Sequence, residues 1–415
     1  QGIPPSQQSS GHSATGSAME FVCDVDDSVL GADGQATSAE AGLHGQEVPL
    51  AEELPKEFLD FLAANGVPME AFCGASTACG RSAPRPALRY VRVNPRSPLA
   101  ATPDIERGIA VSQALGGANV ERVQWLSGGD GPAPPWAEVY ACDPATNLSR
   151  TQAYRQGWLY GVDAASIFAV LCSGARKGDR ALDLCCAPGA KLTALADAVG
   201  PQGEVVGVDV AEQRLAACRT VINKYALANT RLSLGDGTTW DPGTAKWLDL
   251  HPPRGRGQRG RKRRFEAAAA AAETVREVPR VLAGALPALD TEGHGEQRSL
   301  HPGHQDLPAF FDVVLVDAEC THDGSWRHLR KFGSQWGWET LGGRVPWVRQ
   351  EESLYRLQAA LLANGFRLLR DGGSLIYSTC SLCRSQNEDI VSSFLGAEPR
   401  ARLDALPLPV RPPMS

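Results

Sequence analysis

The sequence predicts an α/β chain: a doubly wound, mostly parallel sheet preceded by a small α+β domain. Three observations lead there. From residue 180 to 234, short apolar runs alternate with helical stretches at the pace of βαβ units. Three apolar runs also end in reactive or ligand-binding side chains. Leu182 leads into Cys185-Cys186-Ala187-Pro188-Gly189-Ala190-Lys191, the run 311–316 into Asp317-Ala318-Glu319-Cys320, and Leu375-Ile376-Tyr377 into Ser378-Thr379-Cys380-Ser381. Open α/β sheets place their sites at such strand ends. Finally, the roughly 100 residues ahead of this region lack its alternation and have the size of a small separate domain.

Bulk properties narrow the class. The 415 residues suffice for two or three domains with a large core. Hydrophobic residues make up 43% of the chain, yet no apolar run reaches the length of a membrane-spanning helix. A formal charge of −6 excludes a globally basic nucleic-acid coat and leaves room for local basic surfaces. Eleven cysteines, with no secretory signal, imply a reducing compartment and free thiols. The chain starts at Gln1, so a fragment is expected, with any targeting signal outside it.

Residues 1–50 are rich in Ser, Gly, Gln and Ala and read as disordered. The small domain spans 51–150. Within it, a helix is expected over 53–64, with Leu54, Phe58, Phe61 and Leu62 on one face and Gly66 as its stop. Strands are expected at 87–93, where Arg89 points away from the core, and at 122–126 and 137–142. The main domain spans 151–400. Asp163 to Ser166 can cap a helix over 167–171, which leads into the Leu182 strand. Helix 191–199, strand 205–209, helix 212–227 and strand 231–234 follow. Residues 241–309 hold an Arg/Gly run, an alanine run and a Gly/His/Pro segment, and read as a mostly disordered insert of about 70 residues. The sheet resumes at Phe311, passes a helix over 351–369, and reaches the 375–377 strand after a turn at Asp371-Gly372-Gly373. Residues 401–415 form a Pro-rich tail.

The strand ends suggest a ligand. The loop 185–191 bends at Pro188-Gly189 without the Gly-x-Gly-x-x-Gly spacing of a dinucleotide site. Asp209 ends the next strand, where an acid commonly takes ribose hydroxyls, and Asp236 follows the third, where it can accept from an adenine amine. A nucleoside without phosphates fits, and S-adenosylmethionine is the candidate cofactor. Strand-end acids also serve as helix caps. If the strands run 3-2-1-4-5, Cys320 and Cys380 end neighbouring strands about 4.8 Å apart. Most free cysteines are small core hydrophobes, so both stand as packing residues or as a reactive pair. Cys380-x-x-Cys383 lacks the second Cys/His pair of a zinc site, and no metal is expected.

The stretch Asp183-Leu184-Cys185-Cys186-Ala187-Pro188-Gly189-Ala190-Lys191, with Asp317-x-x-Cys320 and with Ser378-Thr379-Cys380-Ser381 followed by Asn387-Glu388, resembles the NOL/NOP/Sun family of RNA cytosine-5 methyltransferases. The resemblance spans about residues 85–400 apart from the insert and implies a Rossmann-like methyltransferase fold. It implies that Cys185, Cys186, Ala187, Pro188, Gly189, Ala190, Lys191, Asp209, Asp236 and Asp317 line the S-adenosylmethionine site. It further implies that Cys380 attacks C6 of the base, that Cys320 assists product release, and that Asp317 bonds the N3/N4 edge. The 89–94 stretch looks like the family's small RNA-binding domain. A cytosine inside a duplex cannot present C6, so the expected substrate is an unpaired or flipped cytosine of transfer or ribosomal RNA.

Three departures stand out. Glu319 occupies a usual Pro position, and its carboxylate is expected to raise the Cys320 thiol pKa. Ala190 replaces a usual Gly, and the sequence reaches its Pro-rich tail at Ser415 before the closing β-hairpin expected of the family. The basic run 254–264 and the segment Trp326-Arg327-His328-Leu329-Arg330-Lys331 are candidate RNA contacts. Two rival functions stay open: a DNA cytosine-5 methyltransferase with its nucleophile at Cys320, and a catalytically silent RNA-binding factor. A monomer with no membrane association is expected, in an intracellular compartment that the sequence does not single out.

Overall fold

The computed structural model describes residues 56–67, 88–127, 133–250, 310–325 and 351–405. The expected N-terminal disorder, the basic run 254–264, residues 326–331 and most of the insert and tail lie outside the described residues. In chain order the elements begin with α1 (Lys56–Ala64), β1 (Arg89–Val93), α2 (Pro98–Ala101), α3 (Asp104–Ala114), β2 (Val120–Arg122), β3 (Val139–Cys142), α4 (Gln152–Arg155) and β4 (Leu159–Val162). Then come α5 (Ala164–Cys172), β5 (Arg180–Asp183), α6 (Ala190–Val199), β6 (Glu204–Asp209), α7 (Glu212–Lys224), β7 (Thr230–Leu234) and β8 (Lys246–Trp247). The last are β9 (Phe311–Asp317), α8 (Glu351–Arg367), β10 (Leu369–Ser378) and α9 (Glu388–Ala397).

Strands β1 to β4 form an antiparallel sheet in the order β2-β3-β1-β4. One face carries Val91, Val93 and Leu159 onto Leu99, Val111 and Leu115 of the helices beside it. The stretch 122–126 differs from expectation. Pairing stops at Arg122, and Gln124–Ser127 closes into a single 3-10 turn that buries Leu126. Strand β4 was hidden by the Gly157-Trp158 turn ahead of it and takes the sheet's edge from beyond residue 150.

The large sheet has six strands in the order β10-β9-β5-β6-β7-β8, parallel except for β8. The expected 3-2-1-4-5 succession holds for its five parallel strands. Both faces are covered, which explains the unbroken apolar run Val313-Val314-Leu315-Val316. Val313 and Leu315 join a core with residues of α5, α6 and α7, while Val314 and Val316 join Leu361 of α8 on the other side. Each such side chain, fully buried, contributes about 1.5–3 kcal/mol. Asp163 caps α5 by accepting from the Ala165 N–H at 2.8 Å, as its sequence position suggests.

Two expectations need correction. The first ten residues of the supposed insert are ordered: Asp241 starts a short turn, and β8 pairs antiparallel with β7, with Trp247 edge-on to Trp240. Aromatic packing decides this short strand, and a composition reading cannot see it. The Asp371-Gly372-Gly373 stretch is an irregularity within β10 and not a turn before it. The register against β9 shifts between Leu369 and Ser374.

The small sheet docks on α6 through a buried charge. Arg92 and the Asp197 side chain are both inaccessible to solvent and 2.8 Å apart. Arg92 also donates to Trp136 O at 2.8 Å and lies over the Tyr160 ring, and Arg96 bonds the second Asp197 oxygen. Arg89 does not point freely outward: half-buried, it donates to Thr146 O at 2.7 Å.

Candidate active site

The strand order brings three C-terminal strand ends together. The β5–α6 loop contains a cis Ala187–Pro188 bond and turns into α6 at Gly189, whose φ of 115° is open only to glycine at low cost. Asp209 at the end of β6 secures this loop by accepting from Ala187 N at 3.3 Å and from Ala211 N at 2.9 Å. Arg214 of α7 braces it from the other side, donating to Ala187 O at 2.8 Å. Cys186 is buried against Gly207 and Cys218, and burial pushes its thiol well up, as it does for Cys185. Both behave as inert packing residues. Asp236 sits apart: exposed beyond β7, it accepts from Thr238 N at 2.9 Å and from the Thr238 hydroxyl at 2.7 Å.

Lys191 of α6 reaches Asp317 at the end of β9, 2.8 Å from Nζ to Oδ2, and Ser378 of β10 donates to the other Asp317 oxygen at 2.8 Å. Asp317 is thus fixed by one residue from each neighbouring strand end. Asp183, beneath it, was not singled out as a ligand. Its Oδ2 is buried without a hydrogen-bond partner, and burial together with Asp317 pushes its carboxyl up to about 8. An orphaned buried carboxyl oxygen at a strand end is a hydrogen-bonding group left for a ligand to satisfy.

The two cysteines meet. Cys320 Sγ lies 3.2 Å from Cys380 Sγ, and the Cys380 N–H points at Cys320 Sγ at 3.3 Å. Both are buried. His322, which the sequence reading passed over, places Nδ1 2.9 Å from Cys380 Sγ and 3.7 Å from Cys320 Sγ. The three donor atoms all lie within 4.8 Å of one another. The Cys380 thiol and His322 hold the Cys320 pKa down, to about 6, against the effect of burial. The expected rise from Glu319 is therefore overturned. Glu319 is exposed and its carboxylate instead favours protonated His322. Cys383 plays no part in the pair, since its sulfur lies 3.0 Å from Ser385 Oγ.

The loops bearing the cysteines are bolted together by residues that no motif advertised. Buried Asp323 accepts from Ser381 Oγ at 2.8 Å, from Leu382 N at 2.7 Å and from the Thr321 hydroxyl. Gly324 N donates to Cys380 O at 2.9 Å, and a Cβ there would come within 2.8 Å of that oxygen. Asn387 ties the Thr379–Cys383 turn by donating to Ser381 O and Cys383 O.

Residues 171–250 and 291–411 match the family model described as 16S rRNA methyltransferase RsmB/F. A ribosomal RNA small subunit methyltransferase B of Salmonella paratyphi B is 24% identical over 284 residues, 68% of this chain and 48% of that protein. Its counterpart in Salmonella enteritidis PT4 is 23% identical over the same shares. The chain spans about half the length of these curated relatives. A methyltransferase homologue from Pyrococcus horikoshii aligns over 83% of each chain, with 19% identity and a TM-score of 0.47.

Proposed function

This chain belongs to the RsmB/F methyltransferase family, and on that premise we propose that it methylates C5 of a cytosine in RNA through a covalent bond between Cys380 and C6. The observation that carries this reading is the pair of sulfurs 3.2 Å apart at adjoining strand ends, beside the Lys191–Asp317 bridge to the cofactor loop. S-adenosylmethionine, when bound, supplies an electrophilic methyl group. The residues fit its phosphate-free character: the orphaned Asp183 oxygen, the Gly189 turn, and Asp209 at the end of β6. Residues 185–191 and Asp317 border the same place, and Asp236 contributes from the exposed rim.

Cytosine C5 is too poor a nucleophile to take a methyl group unaided. Attack of Cys380 Sγ on C6 forms a carbon–sulfur bond and sends the C5=C6 electron pair to C5. Asp317, held by Lys191 and Ser378, hydrogen-bonds the N3/N4 edge and favours that redistribution. After C5 has taken the methyl group, Cys320 as thiolate removes the C5 proton. The double bond re-forms, and Cys380 leaves as thiolate. His322, 3.7 Å from the Cys320 sulfur, favours its thiolate and so suits Cys320 to act as a base.

The substrate is an unpaired or flipped cytosine of ribosomal or transfer RNA. Arg92 and Asn94 are buried in docking the small sheet, so any RNA contact from that sheet falls to other side chains. No helix among the described residues is long and apolar enough to cross a membrane, and no disulfide links the eight described cysteines. One observation favours exchanged roles: Cys320, with the lowered pKa, is the nucleophile of the DNA-type reading.

Incubation with RNA and a labelled methyl donor, followed by nucleoside digestion, tests the reaction. Label in 5-methylcytidine supports it. Label elsewhere, or label transferred to DNA and not RNA, refutes it.

A further inference from the structure

His322 lies outside the motifs that carry the family resemblance, yet its ring meets both sulfurs of the site. Nδ1 is 2.9 Å from Cys380 Sγ, the separation expected of a nucleophile and its base. The backbone is turned to make this contact: His322 has φ of 56°, a left-handed conformation uncommon outside glycine that tends to persist where function requires it. The loop is held in that shape from both sides, by Ser325 N donating to His322 O at 3.0 Å and by the Asp323 bonds to Ser381 and Leu382. We propose that His322 is the base that activates Cys380, taking the thiol proton at Nδ1 and keeping the nucleophile as a thiolate against an imidazolium.

The claim rests on the methyltransferase reading for the use made of the thiolate, but not for its existence. Among the described residues, the titratable groups around the ring are Cys320, Glu319 and Asp323 on its own segment and Cys380 from the end of β10. The Cys320 sulfur, and after it the Glu319 and Asp323 carboxylates, raise the histidine pKa. Two thiolates 3.2 Å apart repel strongly, so the sulfur pair holds one negative charge, which the proton left between the two sulfurs lets rest on either of them, and an adjacent imidazolium is the counterion the pair needs.

The proton count closes. A proton passes from Cys380 Sγ to His322 Nδ1, and the sulfur lone pair forms the bond to C6. When C5 later loses its proton to Cys320, the carbon–sulfur bond breaks and its electron pair returns to Cys380, again facing the imidazolium. Methyl transfer from a sulfonium releases one proton overall. It leaves through Cys320, which gives up the proton it shared with Cys380 once that sulfur has bonded to C6.

The test is the pH profile of Cys380 alkylation by iodoacetamide in the full chain under reducing conditions, with the modified residue located by mass spectrometry. It needs neither RNA nor methyl donor, so it stands apart from success or failure of the methylation assay. In the wild type, Cys380 should reach half-maximal reactivity well below the ordinary thiol value of about 8.5. His322→Gln and His322→Ala should raise that midpoint by about 1–3 pH units. Added imidazole should restore fast alkylation in His322→Ala alone. An ordinary midpoint in the wild type overturns the proposal even if neither variant folds. A low midpoint that both folded variants keep overturns it as well.

Discussion

Cys320 Sγ lies 3.2 Å from Cys380 Sγ although 60 positions separate them in the chain. The contact is a product of strand order. Because β9 and β10 are parallel neighbours paired from Ser374 with Val313 to Ser378 with Asp317, their C-terminal loops must emerge side by side. Asp323 and Gly324 then draw the loops closer than strand spacing alone would bring them.

Asp323 should therefore be a stability residue as well as a positioning one. Asp323→Ala strips three acceptor contacts, one from the buried Ser381 hydroxyl and two from the half-buried Thr321 and Leu382, and hydrogen bonds to charged groups are worth about 1.5–3 kcal/mol each before relaxation. A loss of about 3 kcal/mol in urea unfolding is expected. Asp323→Asn should recover part of it, since one amide oxygen still accepts. A variant as stable as the wild type would show that the loops are held by something else.

The Arg92–Asp197 pair should behave as a docking bolt. Asp197→Ala leaves the guanidinium buried without its main counter-charge, at an expected cost of about 3–5 kcal/mol. The paired replacement Arg92→Met with Asp197→Leu should cost less than Asp197→Ala alone, because an apolar pair asks for no desolvation of charge. Additive single-site costs in the double-mutant cycle would contradict this coupling.

Asp183 gives a pH signature. Its folded-state pKa is raised from the usual 3.8 to about 8. The folded protein thus holds this proton more tightly than the unfolded chain. The associated stability is fully present below the unfolded value and is lost as pH rises through the folded one. Between roughly pH 4 and pH 8 the unfolding free energy of the wild type should fall relative to Asp183→Asn, whose amide does not titrate. A flat difference across that window would show that Asp183 is ionised in the folded state.

Gly207 tests the packing beneath the β5–α6 loop. A Cβ at this position would come 2.9 Å from Cys186 Sγ and 3.0 Å from Leu192 and Leu232. Gly207→Ala should cost about 1–3 kcal/mol by overpacking. Combining it with Cys186→Ala should recover much of that loss in thermal melts, whereas an unchanged loss would place the clash elsewhere.

The parts of the fold that follow from periodicity were legible in the sequence. The parallel strands and the capped α5 needed only apolar runs, an N-cap and alternation. The meeting of Cys320 and Cys380 was legible too, because strand order brings their loops side by side. What escaped depends on contacts at long range or on a single backbone angle. Strand β8 exists because Trp247 packs on Trp240, and Arg92 is buried because Asp197 of a later helix awaits it. His322 follows Cys320 by two positions, a spacing that could have flagged it. Only its left-handed turn aims the ring at both sulfurs. Glu319 misled for the same reason: its exposed carboxylate acts on His322, and the thiol follows its hydrogen-bond partners.

Covalent trapping on 5-azacytidine-containing RNA tests the central claim most directly, because this analogue captures the attacking thiol at C6. The wild type and Cys320→Ala should form an adduct that survives denaturing electrophoresis, and Cys380→Ala should form none. Trapping that persists in Cys380→Ala and disappears in Cys320→Ala would contradict the assignment of the nucleophile, and no adduct from the wild type on RNA would contradict the reaction itself.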